Sequence, residues 1–574
     1  MRISARVNTR ISAVVRPLIA LAGLALAATL SASPATSAPD TASDSVSILR
    51  VTSADPVATA ARLEALGFDL VEARSGNTLL VVGEASVAAR LRGLGYAVKA
   101  EKLPKVSLRA GADARFYGGY YTADEYVAHL GDVAAARPDL AVTYDVGDSW
   151  RKTQGRPDGN DLVAICITKR QPGDCQLTAT SAKPRFFLLG TVHARELTAT
   201  ELATRFVDLL TTSYGTDADI TSIVDNTEVW VLPLANPDGR EIAESGGASP
   251  YLQRKNANNT LGTCAVPPTS SNQHGVDINR NFNWQWGGVG TSTDPCAQTF
   301  RGQSAASEPE TAAIVSLMRT LFPDQRGPAA TDAAPLTTPG YMMTLHSYAN
   351  QVLIPWGDTN TASPNDAGLR SAAFRVNFYN GYQAGQPGQI LYNVTGSTDD
   401  WLYGERGIAS STMEVGPQSG SCSTFVPAYS CQDTFFNLNR NALLYLAKAA
   451  RAPYQLTLGP TTTSATVSSA SVSAGASVTL QATTNDAAYG KSGVGKPASQ
   501  RIAAGRYFVD VAPWAGGTGI AMAATDRRFS STSEGLTATV STSGWAPGRH
   551  TIWVQGQDLS GNWGPATAVF LTVS

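Results

Sequence analysis

Apolar runs separated by polar turns predict strands that alternate with helices along the middle of the chain. The run at 186–189 leads into a stretch whose apolar residues recur every three or four positions, as on the buried face of a helix. Further strand-like runs lie at 140–146, 162–168, 229–234, 341–346 and 409–415, and helix-like stretches lie at 123–136, 307–321, 366–382 and 435–450. This order predicts an α/β domain whose mixed sheet is covered by helices on both faces.

The pattern differs on either side of this region. Residues 46–98 follow a β-α-β-β-α-β order, which predicts a small α+β module of ferredoxin-like type. After Pro453 the composition shifts to Ser, Thr, Ala and Gly with short alternating strands, which predicts an all-β sandwich. The predicted divisions are a signal peptide at 1–38, an N-terminal segment at 39–112, the α/β domain at 113–452 and a β-sandwich accessory domain at 453–574.

Composition and charge limit the partners and the cellular location that the sequence predicts. The formal net charge is -2 and charged residues make up 16% of the chain, so no basic field predicts a nucleic-acid partner. Residues 1–38 combine four arginines, an apolar run at 18–30 and small residues ending at Ala38, as in a secretory signal peptide. No other segment is long enough to cross a bilayer. We therefore expect a secreted, extracellular protein without a membrane span after signal removal.

Six cysteines remain after the predicted signal peptide. An even number in an exported protein predicts disulfide bonds, although six cysteines allow 15 connectivities. Proximity along the chain favours the pairs Cys166 with Cys175, Cys264 with Cys296, and Cys422 with Cys431. No Cys-x-x-Cys pair is present, so a structural zinc ribbon is not predicted.

Candidate metal ligands stand at the ends of two strand-like runs. His193 and Glu196 lie where the strand at 186–189 passes into a helix, and open α/β sheets place ligand sites at that end of their strands. Such a short pair could also be an accidental surface contact. His346 ends a second strand-like run and completes the three protein ligands that catalytic zinc takes, with the fourth position left to water. The sequence therefore predicts a zinc site.

Several further motifs follow in one order over roughly residues 113–452. They are His193-x-x-Glu196, Asn236-Pro-Asp-Gly239, Arg254, Asp277-x-Asn279-Arg280-Asn281, His346-Ser-Tyr348, Tyr392 and Glu414. In this set the chain resembles the zinc metallocarboxypeptidase family of the carboxypeptidase A and B type. The resemblance implies one zinc ion per catalytic domain and removal of single residues from peptide and protein C-termini. It also implies an inhibitory pro-segment at 39–112 that is cut away within 103–115, the alternative being a permanent accessory domain.

The resemblance also implies roles for residues around the zinc site. Glu414 is expected to act as the general base towards a zinc-activated water and to pass the proton to the departing amine. Arg254 is expected to stabilise the oxyanion of the transition state. Asp277 is expected to orient His193 through the ring nitrogen that does not bind zinc.

Substrate recognition is expected from a second group of residues. Arg280, supported by Asn279, matches the family's clamp for the terminal carboxylate, and a guanidinium can hold a carboxylate through two hydrogen bonds. Tyr392 matches the phenol that folds over bound substrate. The same alignment places Asp399 at the floor of the side-chain pocket, which would favour C-terminal Lys or Arg. Asp400 adjoins it as a structural carboxylate, and mixed specificity for basic and apolar residues stays open.

Two other functions remain open at the level of sequence. The same fold could serve a peptidase for cell-wall peptides with D or γ linkages. Alternatively, the chain could be a catalytically silent protein whose β-sandwich binds a surface or a polymer. The presence of three zinc ligands together with Glu414 favours the peptidase. The residues Ser307-Glu-Pro-Glu310 predict a capping box at the start of a helix, with a structural role for their carboxylates.

Overall fold

The N-terminal part of the chain folds as a small α+β module. The computed structural model describes residues 46–102 and 115–574; the predicted signal peptide and almost all of the predicted processing region lie outside these ranges. The module consists of β1 (Ser47–Thr52), α1 (Pro56–Ala65), β2 (Asp69–Ser75), β3 (Thr78–Gly83), α2 (Ala85–Gly93) and β4 (Ala97–Lys102). Its sheet has the order β2-β3-β1-β4 with antiparallel pairs throughout. The predicted β-α-β-β-α-β module is confirmed, and residues 46–102 are called the N-terminal module below.

The middle of the chain forms the α/β region. Its strands are β5 (Ala141–Asp148), β6 (Asp161–Ile167), β7 (Arg185–Gly190), β8 (Glu228–Leu232), β9 (Tyr341–His346), β10 (Gln351–Leu353), β11 (Gln383–Gly385) and β12 (Ala409–Glu414). Its helices are α3 (Ala123–Ala136), α4 (Trp150–Thr153), α5 (Leu197–Ser213), α6 (Ala218–Asn226), α7 (Pro237–Glu244), α8 (Pro309–Leu321), α9 (Asp366–Asn380), α10 (Pro387–Ile390), α11 (Thr398–Arg406), α12 (Gln432–Ala449) and α13 (Pro453–Leu456).

The central sheet is mixed and buried on both faces. Its order is β11-β10-β12-β9-β7-β8-β6-β5, in which β12, β9, β7 and β8 pair in parallel and β10 also pairs in parallel with β11. The pairs β10-β12, β8-β6 and β6-β5 are antiparallel. Every residue of β7, β8, β9 and β12 is buried. Because successive side chains of a strand point to opposite faces, Phe186 and Leu188 enter one hydrophobic cluster while Phe187 and Leu189 enter another. The predicted fold class is confirmed.

The C-terminal β region follows α13 and consists of short strands. They are β13 (Thr461–Val467), β14 (Ser471–Val472), β15 (Ser477–Asn485), β16 (Ile502–Val509), β17 (Ile520–Ala524), β18 (Ser533–Ser541), β19 (Gly548–Asp558) and β20 (Thr567–Val573). These strands pair antiparallel except for β14, which is parallel to β20. Alternate residues of β15 are buried, which builds a core of its own with β16, β18 and β19. Residues 44–574 form one compact unit, so the predicted boundaries at 112 and 452 stay predictions.

Disulfide bonds join the three pairs of cysteines that proximity favours. They link Cys166 to Cys175, Cys264 to Cys296, and Cys422 to Cys431. In the part of the chain that the structure describes, no helix is both long and apolar enough to cross a membrane.

The predicted capping box at the start of α8 is wrong. The helix begins at Pro309, and the side chain of Glu308 at its N-cap makes no capping hydrogen bond. Ser307 Oγ donates instead to Glu308 Oε1, and Asn256 Nδ2 donates to the carboxylates of Glu308 and Glu310. The structural role expected of these carboxylates fits the contacts, but tertiary hydrogen bonds have replaced the local capping pattern.

Candidate active site

Three neighbouring strands deliver the predicted zinc ligands and the predicted base to one edge of the sheet. His346 is the last residue of β9, Glu414 is the last residue of β12, and the two are paired in register. His193 follows β7, which is parallel to β9 on its other side. Since the carboxyl ends of parallel strands meet at one edge, residues far apart in sequence come together there.

Three ligand atoms converge between β7 and β9. The Nδ1 of His193 lies 2.7 Å from Glu196 Oε1, and the Nδ1 of His346 lies 3.1 Å from Glu196 Oε2. The two Nδ1 atoms are 3.1 Å apart. All three residues are buried, at 1% exposure or less.

This donor set fits a zinc ion. Two imidazole nitrogens and a carboxylate present lone pairs to one point, at separations close to those of ligand atoms about 2.0–2.1 Å from a tetrahedral zinc. The second ring nitrogen of His193, Nε2, lies 3.2 Å from Asp277 Oδ1. A carboxylate on that nitrogen fixes the orientation of an imidazole whose other nitrogen binds metal.

Arg254 and Asp277 are joined beside the candidate metal site. Arg254 donates from Nε to Asp277 Oδ2 at 2.9 Å, and both side chains are buried. Asp277 also accepts at Oδ1 from the backbone N–H of Asn279 at 3.0 Å, which starts the 3-10 turn Ile278–Arg280. The paired Arg254 guanidinium, together with His193, holds the pKa of the buried Asp277 carboxyl well below its usual range.

The Asn-Pro-Asp-Gly motif supports the backbone behind these residues. Asn236 caps α7 by accepting from the N–H of Gly239 at 3.0 Å. Its Nδ2 donates to the carbonyls of Val192 and Arg254, at 3.2 and 3.4 Å. The motif therefore links the segment before His193 to Arg254.

The predicted substrate-binding residues Asn279, Arg280, Tyr392 and Asp399 line one cavity together with His193 and Glu414. Arg280 donates from Nε to Gly290 O at 2.7 Å and from Nη1 to Asn279 O at 3.0 Å. Asn279 Oδ1 accepts from the N–H of Thr398 at the start of α11, at 3.0 Å. The structure thus brings Asn279, Arg280, Tyr392 and Asp399 to the same cavity as His193 and Glu414.

The two adjacent acids of α11 have different surroundings. Asp399 lines the cavity, where Ser397 and Thr412 are its neighbours. Asp400 accepts at both carboxylate oxygens from the N–H of Gly357, at 2.8 and 3.0 Å. Burial raises the pKa of both carboxyls. The structure therefore separates the acid that faces the cavity from the acid that holds a turn.

Glu414 presents a free carboxylate oxygen in the cavity. Its Oε2 is buried and has no hydrogen-bond partner among the described residues. Burial raises the pKa of Glu414 well above its usual range, and Glu72 and Glu196 raise it further, whereas Arg254 and Arg280 lower it. A carboxylate with a raised pKa in a cavity is suited to accepting and returning a proton.

The N-terminal module covers this cavity with acidic side chains. Glu72 accepts from Arg254 Nη1 at 2.7 Å, and Glu64 Oε1 lies 3.8 Å from Arg280 Nη2. Tyr392, at 2% exposure, belongs to the same hydrophobic cluster as the core of the module. Tyr392 is therefore packed beneath the module.

A further ion pair was missed by the sequence analysis. Arg195 donates from Nη1 and Nη2 to the two carboxylate oxygens of Asp69, at 2.5 and 2.8 Å, and its guanidinium lies 3.8 Å from the centre of the Phe425 ring. Arg195 lies between His193 and Glu196 in the sequence, and this position could have indicated that it belongs to the site. Glu64, Asp69 and Glu72 carry no motif that singles them out.

The family model described as Zinc carboxypeptidase matches residues 126–449, more than half of the chain, and the chain belongs to this family. Members of the family use zinc, for which His193, Glu196 and His346 form a suitable site. The predicted family and cofactor are confirmed.

Relatives and solved structures agree with this assignment. Carboxypeptidase A2 of Mus musculus is 27% identical over 294 residues, which cover 50% of this chain and 60% of the relative. Carboxypeptidase A1 of Rattus norvegicus is 26% identical, with 53% and 64% covered. The crystal structure of carboxypeptidase A from Helicoverpa armigera has a TM-score of 0.56 at 20% identity, covering 71% of this chain and 98% of that one. The structural likeness concerns the fold.

Proposed function

We propose that the protein is an exported zinc metallocarboxypeptidase that removes single residues from the C-termini of peptides and proteins. The observation that carries the proposal is the metal-ligand group His193, Glu196 and His346, whose His193 lines one cavity together with Glu414 and its free carboxylate oxygen. The family membership supports the same chemistry. Zinc held by the three ligands lowers the pKa of water and polarises a carbonyl group.

The remaining chemistry belongs to side chains of this chain. Glu414 accepts a proton from the attacking water at its free Oε2 and returns it to the nitrogen of the departing amine as the C–N bond breaks. Arg254 has an Nη2 without a hydrogen-bond partner among the described residues, which is available to the oxyanion. Asp277 holds both Arg254 and His193 in place.

Recognition of the substrate is assigned to Arg280, Tyr392 and Asp399, which line the same cavity. Arg280 is the cation that receives the terminal carboxylate, and its Nη2 lies 3.8 Å from Glu64 Oε1 while the N-terminal module is in place. Tyr392 closes over the substrate. Asp399 lines the cavity, which supports its role as the acid that receives a basic terminal side chain.

We further propose that the chain is made as a zymogen and exported. Glu72 on Arg254 and Glu64 near Arg280 occupy the cations that a substrate needs, so cleavage in the linker after the module is required for activity. The signal-like segment at 1–38 and the three disulfide bonds support an oxidising, extracellular setting.

Release of the terminal residue from N-blocked dipeptides ending in Arg, Lys, Phe or Leu tests the function. The processed protein with zinc should cut, whereas chelator should stop the reaction and zinc should restore it. Glu414→Gln should lower kcat by about 10²- to 10⁴-fold at unchanged zinc content, because general-base catalysis is lost. Asp433→Asn, which changes a surface carboxylate, is the matched control and should leave kcat unchanged.

Two results would contradict the proposal. Zinc bound at one ion per chain without cleavage of any dipeptide would exclude an ordinary carboxypeptidase and direct the assay to cell-wall peptides. Activity that survives both chelator and Glu414→Gln would exclude the assigned residues.

A further inference from the structure

A segment of the C-terminal β region joins the edge of the central sheet. Residues 487–496 lie in the connection between β15 and β16, and Gly493 forms a parallel bridge with Ala384 of β11. The N–H of Ala384 donates to Ser492 O at 3.2 Å, and the N–H of Val494 donates to Ala384 O at 2.9 Å. Because β11 is the edge strand of the central sheet, the segment supplies the hydrogen bonds that this edge would otherwise leave unpaired.

Arg370 links this segment to α10. Its Nη1 donates to Val494 O at 2.6 Å and to Gln389 Oε1 at 3.3 Å, and its Nη2 lies 3.4 Å from Gln386 Oε1. Asp366, one turn earlier on α9, fixes the guanidinium through two hydrogen bonds of 2.6 and 2.9 Å. One side chain of α9 therefore contacts the C-terminal β region, Gln389 of α10 and Gln386, the N-cap residue of α10.

Those glutamines set the position of α10. Gln386 accepts from Gln389 Nε2 at 3.1 Å, and the N–H of Gln386 donates to Gln389 Oε1 at 3.2 Å. Gln386 Nε2 also donates to the carbonyls of Trp356, Thr359 and Thr361. The helix ends at Ile390, two residues before Tyr392, so its position determines where Tyr392 lies.

We propose that residues 487–496 and Arg370 position α10 and Tyr392, so that the C-terminal β region is a working part of the substrate site. This inference rests on the proposed function for the role of Tyr392. Arg370 is a positioning residue, because it contacts α10 and does not line the cavity. The C-terminal β region then has a role inside the catalytic unit, apart from any surface or polymer that it binds.

Hydrogen exchange of the full-length protein, followed by mass spectrometry, tests the inference without an activity assay. Arg370→Gln and Gly493→Ala should each speed exchange in peptides that cover 386–395 by at least about fivefold, since both changes disturb the link to α10. At Gly493 an added Cβ would lie 2.1 Å from Ala384 O, and φ is +131°. Arg370→Lys, which keeps a cationic donor, should restore part of the protection. Arg205→Gln is the matched control: Arg205 also pairs with an acid one turn earlier, on α5.

Kinetics after cleavage of the linker give the second readout. Arg370→Gln should raise KM for dipeptides about tenfold and change kcat less than threefold, because Tyr392 is displaced while Glu414 and the zinc ligands are not. Unchanged exchange at 386–395 in both variants would overturn the inference. If the parent protein cuts no dipeptide but exchange rises as expected, the proposed function fails and the positioning role stands.

Discussion

At the scale of single residues, Asp399 and Asp400 are neighbours in sequence with separate tasks. Asp400 is held by the N–H of Gly357, whereas Asp399 faces the cavity with Ser397 and Thr412 beside it. Burial disfavours the charged form of Asp399, so a cationic side chain that enters the cavity would supply the missing counter-charge.

Asp399→Asn should therefore reduce the preference for C-terminal Arg or Lys over Leu. The ratio of kcat/KM values is expected to fall about 10- to 100-fold, the range that a charge-assisted hydrogen bond provides. Asp400→Asn is the matched control, because its oxygen still accepts from Gly357 while the cavity is unchanged. A parent enzyme that prefers apolar residues, or a ratio unaffected by Asp399→Asn, would remove Asp399 from the specificity pocket.

Some residues of the site could be predicted from the sequence, and others could not. His193, Glu196 and His346 could be predicted because their residue types, order and strand-end positions repeat a known pattern. Glu72 and Asp69 could not, since their partners Arg254 and Arg195 lie 182 and 126 positions away and no local pattern records those contacts. These ion pairs form only when the folded N-terminal module packs against the α/β region.

At the scale of elements, α1 and β2 of the N-terminal module supply the acids that cover the cavity. Glu64 of α1 is fully buried, and burial raises its pKa to about 8, with Glu72 raising it and Arg280 and Arg254 lowering it. When the module leaves, Glu64 loses Arg280 and Tyr392 as neighbours and regains water. Its pKa then returns towards 4.5, the ordinary value.

Docking of the cleaved module should consequently weaken as pH rises from about 4.5 to about 8. In this window the docked form holds a proton on Glu64 that the free form has lost, so the dissociation constant rises by up to about tenfold per pH unit. Inhibition of the nicked protein by its own module, measured from pH 5 to 8, checks the slope.

Glu64→Gln should flatten that dependence, because the amide stays neutral throughout. Glu101→Gln alters a partly exposed acid of the same module and serves as the control. An unchanged slope in Glu64→Gln would assign the pH dependence to another group.

At the scale of the whole molecule, a buried ion pair joins the C-terminal β region to α9. Arg375 donates from Nη2 to Asp486 Oδ1 at 2.8 Å and to Gly459 O at 2.7 Å, and its guanidinium lies 3.8 Å from the centre of the Tyr489 ring. Trp553 Nε1 donates to Ser222 Oγ at 2.7 Å elsewhere in the same interface. The composition of the sequence predicted the C-terminal β region. Its contacts with the α/β region could not be predicted, because the side chains that make them belong to no motif.

Asp486→Ala should lower the free energy of unfolding by about 3–5 kcal/mol, because it leaves the buried Arg375 guanidinium without its counter-charge. Chemical denaturation followed by intrinsic fluorescence measures the change, and both regions should unfold in one transition. Asp433→Ala breaks the exposed pair with Arg205 and should have no measurable effect. Equal effects of the two variants, or two separate transitions in the parent, would show that the regions are independent.

The position of the N-terminal module at the start of the chain determines when the cavity becomes covered during synthesis. The module ends at Lys102, whereas Asp69 and Glu72 precede their arginines by 126 and 182 positions. At about 5–20 residues per second, a ribosome needs several seconds to make the intervening chain. Small mixed α/β units fold in milliseconds to seconds. The N-terminal module can therefore be folded before Arg195 and Arg254 are synthesised. The cavity is then covered from the time it forms, so it does not meet the C-termini of other proteins in the cell.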